Sequence, residues 1–160
     1  MVFNHLDIHN FVDLTAETTK SGRTYLVDGI RLPSVTTVIG EMKKKSIAQW
    51  RARVGAEEAN RVSKRASTRG NKTHKLAEEY LSNLPISQYK DDVLSMGMFC
   101  QIRPYLDKIN NIHALEAPLY SKTLKLAGRV DCIAEYEGEL AIIDFKTSSK
   151  TKREEWIQDY

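Results

Sequence analysis

The stretch that most constrains this chain is Gly128–Lys146, GRVDCIAEYEGELAIIDFK. Two runs rich in alternating and β-branched residues, Val130–Tyr136 and Leu140–Lys146, flank the turn pair Glu137-Gly138, a pattern that predicts a β-hairpin. One face carries Val130, Cys132, Ala134, Ala141, Ile143 and Phe145. The other carries Ile133 and Ile142 together with Asp131, Asp144 and Lys146. Strands apolar on both faces belong inside a sheet rather than at its edge. With a two-residue loop, cross-strand partners sum to 275, which sets Asp131 opposite Asp144. Opposed Cβ atoms lie roughly 4.5–5.5 Å apart. A three-residue loop would shift the register by one and turn one of the acids away.

Two carboxylates side by side in an apolar interior repel and are costly to desolvate. A divalent cation between them removes the conflict, and oxygen ligands suit Mg²⁺ or Mn²⁺. Lys146 on the same face would then position water or stabilise charge at a phosphate, in a metal-assisted hydrolytic site. The plainer alternative pairs Asp131 with Arg129 or Lys146, lets Asp144 cap a turn and leaves Lys146 snorkelling at a strand end. Glu116 begins the preceding strand. If Leu115–Tyr120 pairs antiparallel with Leu126–Asp131 around Lys122–Lys125, Glu116 reaches the level of Asp131, as a further ligand or simply as a solvent-facing strand residue.

His74 lies in a helical segment where it shares a face with Glu78 at i, i+4. A lone histidine is more often structural, but beside an acidic hairpin it becomes a candidate ligand. Gly70 near the start of that helix would let a phosphate backbone approach, with Arg69, Lys72 and Lys75 flanking the same turn. From Lys43 to Lys75 there are eleven basic residues against Glu57 and Glu58, a surplus of nine in a chain of net charge +3, so the remainder carries −6. That asymmetry suits a polyanion-binding face, or else a set of solvated helices.

At 160 residues, with 41% hydrophobic and 28% charged residues, the chain fits one soluble domain. Cys100 and Cys132 are far apart, and Cys132 reads as a reduced buried thiol. No apolar run approaches membrane-spanning length and no signal core or Arg-rich presequence opens the chain, so it is expected to be cytoplasmic.

In chain order, residues 1–20 read as a loosely attached arm. A hairpin follows at Asp28-Gly29, between Arg23–Val27 and Ile30–Leu32. Ser34 caps a short helix to Gly40, and Lys43–Lys45 form a basic connector. Ser46–Val54 and Ala56–Ser67 are helices broken at Gly55, with Ile47, Trp50 and Val54 on one face. Arg69–Asn83 is the next helix, and Asp91–Asn110 another that Pro104 kinks or splits. Leu115–Tyr120, Leu126–Tyr136 and Leu140–Thr147 are strands, and residues 149–160 start a final helix. Residues 34–110 are thus mainly helical and 115–147 carry the candidate catalytic strands. The fold class is α+β, an antiparallel meander of a mixed or antiparallel sheet covered by helices.

Gly70-x-x-x-His74, then Glu116, then Ala127-Gly128-x-x-Asp131, then Ile143-Asp144-Phe145-Lys146-Thr147-Ser148 resembles the PD-(D/E)XK nuclease superfamily. The nearest branch looks like the RecB-type and phage exonucleases, which takes in mitochondrial genome-maintenance exonucleases and CRISPR-associated adaptation nucleases. Pro33-Ser34-Val35-Thr36-Thr37 and Trp50 are also similar to that branch, and the likeness runs from Leu32 to Ser148.

The resemblance implies a restriction-endonuclease-like core and Mg²⁺- or Mn²⁺-dependent hydrolysis of DNA phosphodiesters, commonly from an end, in phage or bacterial replication, recombination or repair. It implies Asp131, Asp144, His74, Glu116 and the Phe145 carbonyl as metal ligands. Lys146 would be the catalytic lysine beside Asp144 and Asp131, with Arg69, Gly70, Lys72, Lys75, Thr147 and Ser148 at the nucleic acid. Two isolated cysteines exclude the four-cysteine iron–sulfur cluster of some relatives. Members continue past the lysine strand into a Gln-x-x-x-Tyr helix and further structure, whereas this sequence ends at Tyr160. The expectation is therefore a truncated or split enzyme, or one completed by a second chain or copy. The alternatives are an inactive nucleic-acid-binding subunit of the same fold and a sequence-specific endonuclease.

Overall fold

The computed structural model describes residues 1–7 and 11–149. The protein is α+β, with two antiparallel three-stranded sheets and three α-helices among the described residues. The first sheet joins β1 (Ala16–Thr19), β2 (Gly22–Val27) and β3 (Ile30–Pro33), and the second joins β4 (Ile109–Ser121), β5 (Leu126–Tyr136) and β6 (Glu139–Ile143). Between them run α1 (Val35–Val54), α2 (Ala56–Leu81) and α3 (Val93–Leu106). Among the described residues, no helix is long and apolar enough to cross a membrane.

Local chemistry sets most of these boundaries. Ser34 is the N-cap of α1, its Oγ accepting from the Thr37 amide at 3.0 Å. Gly55 breaks α1 from α2 at φ 87°, ψ 153°, a conformation that side-chain-bearing residues avoid. Asp92 caps α3 by accepting from the Ser95 amide at 3.1 Å.

Several boundaries differ from the sequence reading. Helix α1 runs straight through Lys43–Lys45 instead of stopping at Gly40, and none of its 20 residues is buried. Helix α2 is continuous over 26 residues, where two helices separated near Thr68 were expected. Pro104 sits inside α3, which ends only two residues later rather than running on to Asn110. The N-terminal arm is anchored: Phe3 is buried and exchanges hydrogen bonds with the Asn83 amide side chain, while His5 Nε2 meets the Leu81 carbonyl at 2.8 Å. β1 adds a strand to the Asp28-Gly29 hairpin within the same stretch.

The main core lies between α2, α3 and the β4–β6 sheet, where Leu76, Ala77, Leu81, Phe99, Leu106, Ile112, Cys132 and Ala134 are buried together with Phe3. Burial in that core pushes the Cys132 thiol up to about 12, so it is an apolar filler rather than a reactive thiolate. A smaller cluster of Tyr25, Val27, Leu32 and Ala127 fixes the first sheet against β5. That second contact places the first sheet at the site.

Candidate active site

The β5–β6 hairpin has the expected register, Tyr136 pairing Glu139 and Cys132 pairing Ile143. The ladder then stops. β6 ends at Ile143, so Asp131 and Asp144 are not a ladder pair, and the Phe145 amide instead donates to Asp131 Oδ2 at 2.5 Å. A carboxylate is a stronger acceptor than a backbone carbonyl, and it draws the chain out of the sheet. The hairpin is also the outer edge of the described sheet, with Ile142 66% exposed, so its second face is not interior. Asp144 and Lys146 pair with each other, both about half-exposed. Of the two acids, only Asp131 is largely buried, its side chain 13% exposed.

Asp131 is the centre of what does assemble. His74 Nδ1, from the middle of α2, lies 3.4 Å from Asp131 Oδ1, and the His74 ring packs edge-on against Phe145. Glu116 arrives as the β4–β5 register forecasts: Leu115 pairs Cys132 and Ala117 pairs Val130, which puts Glu116 level with Asp131. The step is distorted, Glu116 taking φ 50°.

The electrostatics follow from these placements. Burial works against ionising Asp131, but His74 and the Phe145 amide outweigh it and hold the carboxyl below its ordinary range. The hydrogen bond to Asp131 raises His74 against the opposing effect of burial. Glu116 is raised, by burial first and by the Asp131 and Glu78 charges next. Asp144 and Lys146 are close enough to act on His74 through their charges, in opposite directions.

Two cavities are lined by the expected site residues. One of about 490 Å³ is lined by His74, Glu78, Glu116 and Asp131, with Arg23, Lys75, Arg129, Ser67, Gly70 and Asn71 around them. The other, about 330 Å³, lies between α3 and the β5–β6 end and is bordered by Asp144, Lys146, Thr147 and Ser148. The expected site residues are therefore divided between two neighbouring hollows.

The nucleic-acid candidates are divided too. Gly70 and Lys75 line the acidic cavity, Lys75 paired with Glu78 at 3.1 Å. Thr147 is the neighbour of Gly70, its Oγ1 3.6 Å from where a Cβ would stand, an ordinary van der Waals contact. Lys72 turns away to Asp92 at 2.6 Å, and Arg69 Nε is buried without a hydrogen-bond partner among the described residues. The sequence reading missed Arg23 and Arg129 as cavity residues. Arg129 bonds the Glu116 carbonyl and Asp13, rather than pairing with Asp131 as the plainer reading had it.

Two opposed carboxylates and an imidazole lining one cavity are a donor set that Mg²⁺ or Mn²⁺ accepts. Among the described residues, however, no group of three His, Cys, Asp or Glu side chains is closed as a ready-made metal cage. Asp131 is engaged by His74 and Phe145, and Asp144 by Lys146. The donor chemistry fits a divalent ion, and of the expected ligands Asp144 and Phe145 stand outside this cavity, at the neighbouring one.

Fold and site together define an α+β chain with an acidic, histidine-bearing cavity rimmed by cations. In sequence it is similar to mitochondrial genome maintenance exonuclease 1 of Homo sapiens, 29% identical over 130 residues, 76% of this chain. The protein of the same name from Xenopus tropicalis is 26% identical over 148 residues, 88% of this chain. The chain spans about two fifths of these curated relatives, 38% and 42% of their lengths. No protein-family model matches it.

Proposed function

We propose that this chain carries the active site of a Mg²⁺- or Mn²⁺-dependent nuclease of the PD-(D/E)XK type that hydrolyses DNA phosphodiesters from an end. The observation that carries this reading is the convergence of His74, Glu116 and Asp131 on one cavity, with Asp144 and Lys146 beside it. The exonuclease names of the similar proteins support the reaction class.

Asp131 and Glu116 would hold the ion, with His74 completing the near side and Asp144 joining on release from Lys146. When bound, the ion supplies water of lowered pKa and charge neutralisation at the phosphate. The residues of the chain do the rest. The Phe145 amide fixes one oxygen of Asp131 and leaves the other beside His74. The Lys146 ammonium orients the attacking water and steadies charge on the phosphate oxygens. Lys75 and the wider basic surplus of α1 and α2 draw the polyanion in. The chain would act in the cytoplasm of a bacterium or a phage-infected host cell.

End-labelled linear DNA and covalently closed circular DNA, each incubated with Mn²⁺, test the reading. A ladder from the linear substrate with an intact circle is the expected result. Cutting of the circle would favour an endonuclease instead.

A further inference from the structure

We infer that Arg23, in the first sheet, binds a phosphate of the nucleic-acid strand beside the acidic site, so that the β1–β3 sheet forms one wall of the substrate groove. The inference rests on the nuclease reading for the identity of the anion. Arg23 lines the same cavity as His74, Glu116 and Asp131, although 51 residues of chain separate it from His74.

The backbone there is held firmly. The Arg23 amide donates to Thr37 Oγ1 at 2.9 Å, and its carbonyl accepts from the Ser34 amide at 2.9 Å and from Thr37 Oγ1 at 3.2 Å. Gly22 presses against the same threonine: a Cβ there would fall 2.4 Å from Thr37 Cγ2, at φ 123°. The Ser34–Thr37 segment therefore does two jobs, capping α1 and fixing the strand position from which Arg23 projects.

The guanidinium, by contrast, is scarcely used. Its Nε donates to Thr18 Oγ1 at a long 3.4 Å, and among the described residues it forms no ion pair. Its neighbours on the rim are all engaged: Arg129 with Asp13 and the Glu116 carbonyl, Lys75 with Glu78. An arginine with a fixed root and free η nitrogens, facing a cavity whose floor is acidic, matches the bidentate geometry of a phosphodiester. It also answers an electrostatic need. Glu78, Glu116 and Asp131 repel a phosphate, and a cation lining the same cavity offsets that repulsion for the backbone that passes them.

The test uses the full chain, a labelled oligonucleotide, and Ca²⁺ in place of Mn²⁺ so that binding is read without cleavage. Affinity is measured against salt for the wild type, Arg23→Ala, Arg23→Lys and Arg31→Ala, the last in the neighbouring strand and paired with Glu17 away from the cavity. The expected result for Arg23→Ala is about a tenfold loss of affinity and a salt slope smaller by about one. Arg23→Lys should restore the slope and part of the affinity, and Arg31→Ala should match the wild type. Wild-type affinity and slope in Arg23→Ala would overturn the inference, as would equal losses in Arg31→Ala. A wild type that binds in Ca²⁺ yet never cleaves in Mn²⁺ would refute the hydrolytic reading while leaving the Arg23 comparison decisive.

Discussion

Glu116 stands level with Asp131 on adjacent strands, between the Leu115–Cys132 and Ala117–Val130 pairs, and takes a left-handed backbone conformation there. Without a cation this juxtaposition is a cost, because like charges directly opposite each other in a sheet are destabilising. In the proposed site a divalent ion between the two carboxylates would offset that repulsion.

Glu116→Gln separates the two effects. The metal-free protein should gain about 0.5 kcal/mol, through relief of repulsion with Asp131. The same variant should bind Mn²⁺ roughly tenfold more weakly. Thermal unfolding in EDTA and in Mn²⁺ measures both, and the order of stability of wild type and variant should reverse between the two conditions.

The His74–Asp131 pair gives the metal-free protein a pH signature. His74 is raised above its ordinary 6.5, so its contribution is complete below that pH and is lost as pH rises through the folded value. Asp131 is lowered below its ordinary 3.8, so its contribution is complete above that pH and is lost as pH falls through the folded value. The pair is thus fully effective between 3.8 and 6.5. In EDTA, His74→Ala should cost about 0.5–1 kcal/mol more at pH 5.5 than at pH 8.5, by urea unfolding. A constant loss, from the packing against Phe145, should remain at both.

Asp144→Asn and Lys146→Ala remove the two halves of a half-exposed pair. Such a pair is worth at most about 1 kcal/mol, so both variants should fold with wild-type circular dichroism. In the proposed reaction Asp144 would join the ion and Lys146 would orient the water, so each variant should lose at least about a hundredfold in cleavage rate. Retained metal-dependent cleavage in both would remove them from the site.

Much of this arrangement was legible in the sequence wherever one local rule governed. The Glu137-Gly138 turn and the period of two set the β5–β6 register, and the Lys122–Lys125 turn set Glu116 level with Asp131. Ser34 and Gly55 marked the start and end of α1. Where tertiary contacts outweighed local signals, the reading failed. Lys43–Lys45 suggested a connector, but lysine is a good helix former and α1 simply continues. Gly70 suggested a helix start, yet its penalty of roughly 1 kcal/mol is outweighed by the packing of Leu76, Ala77 and Leu81 farther along α2. The end of β6 depends on one amide taking a side-chain carboxylate over the ladder, which no pattern of hydrophobicity encodes. Arg23 was invisible for a similar reason: nothing near it in sequence announces that the Tyr25–Ala127 cluster carries it to the site.

The central claim, that Asp131 organises a metal-dependent hydrolytic site, is tested most directly by Asp131→Asn on end-labelled linear DNA in Mn²⁺ and in EDTA. Asparagine keeps an oxygen to accept the Phe145 amide but removes the charge. The account predicts a ladder from the wild type in Mn²⁺ alone, and none from the variant in either condition. Equal ladders from both proteins, or a wild-type ladder that persists in EDTA, would contradict it.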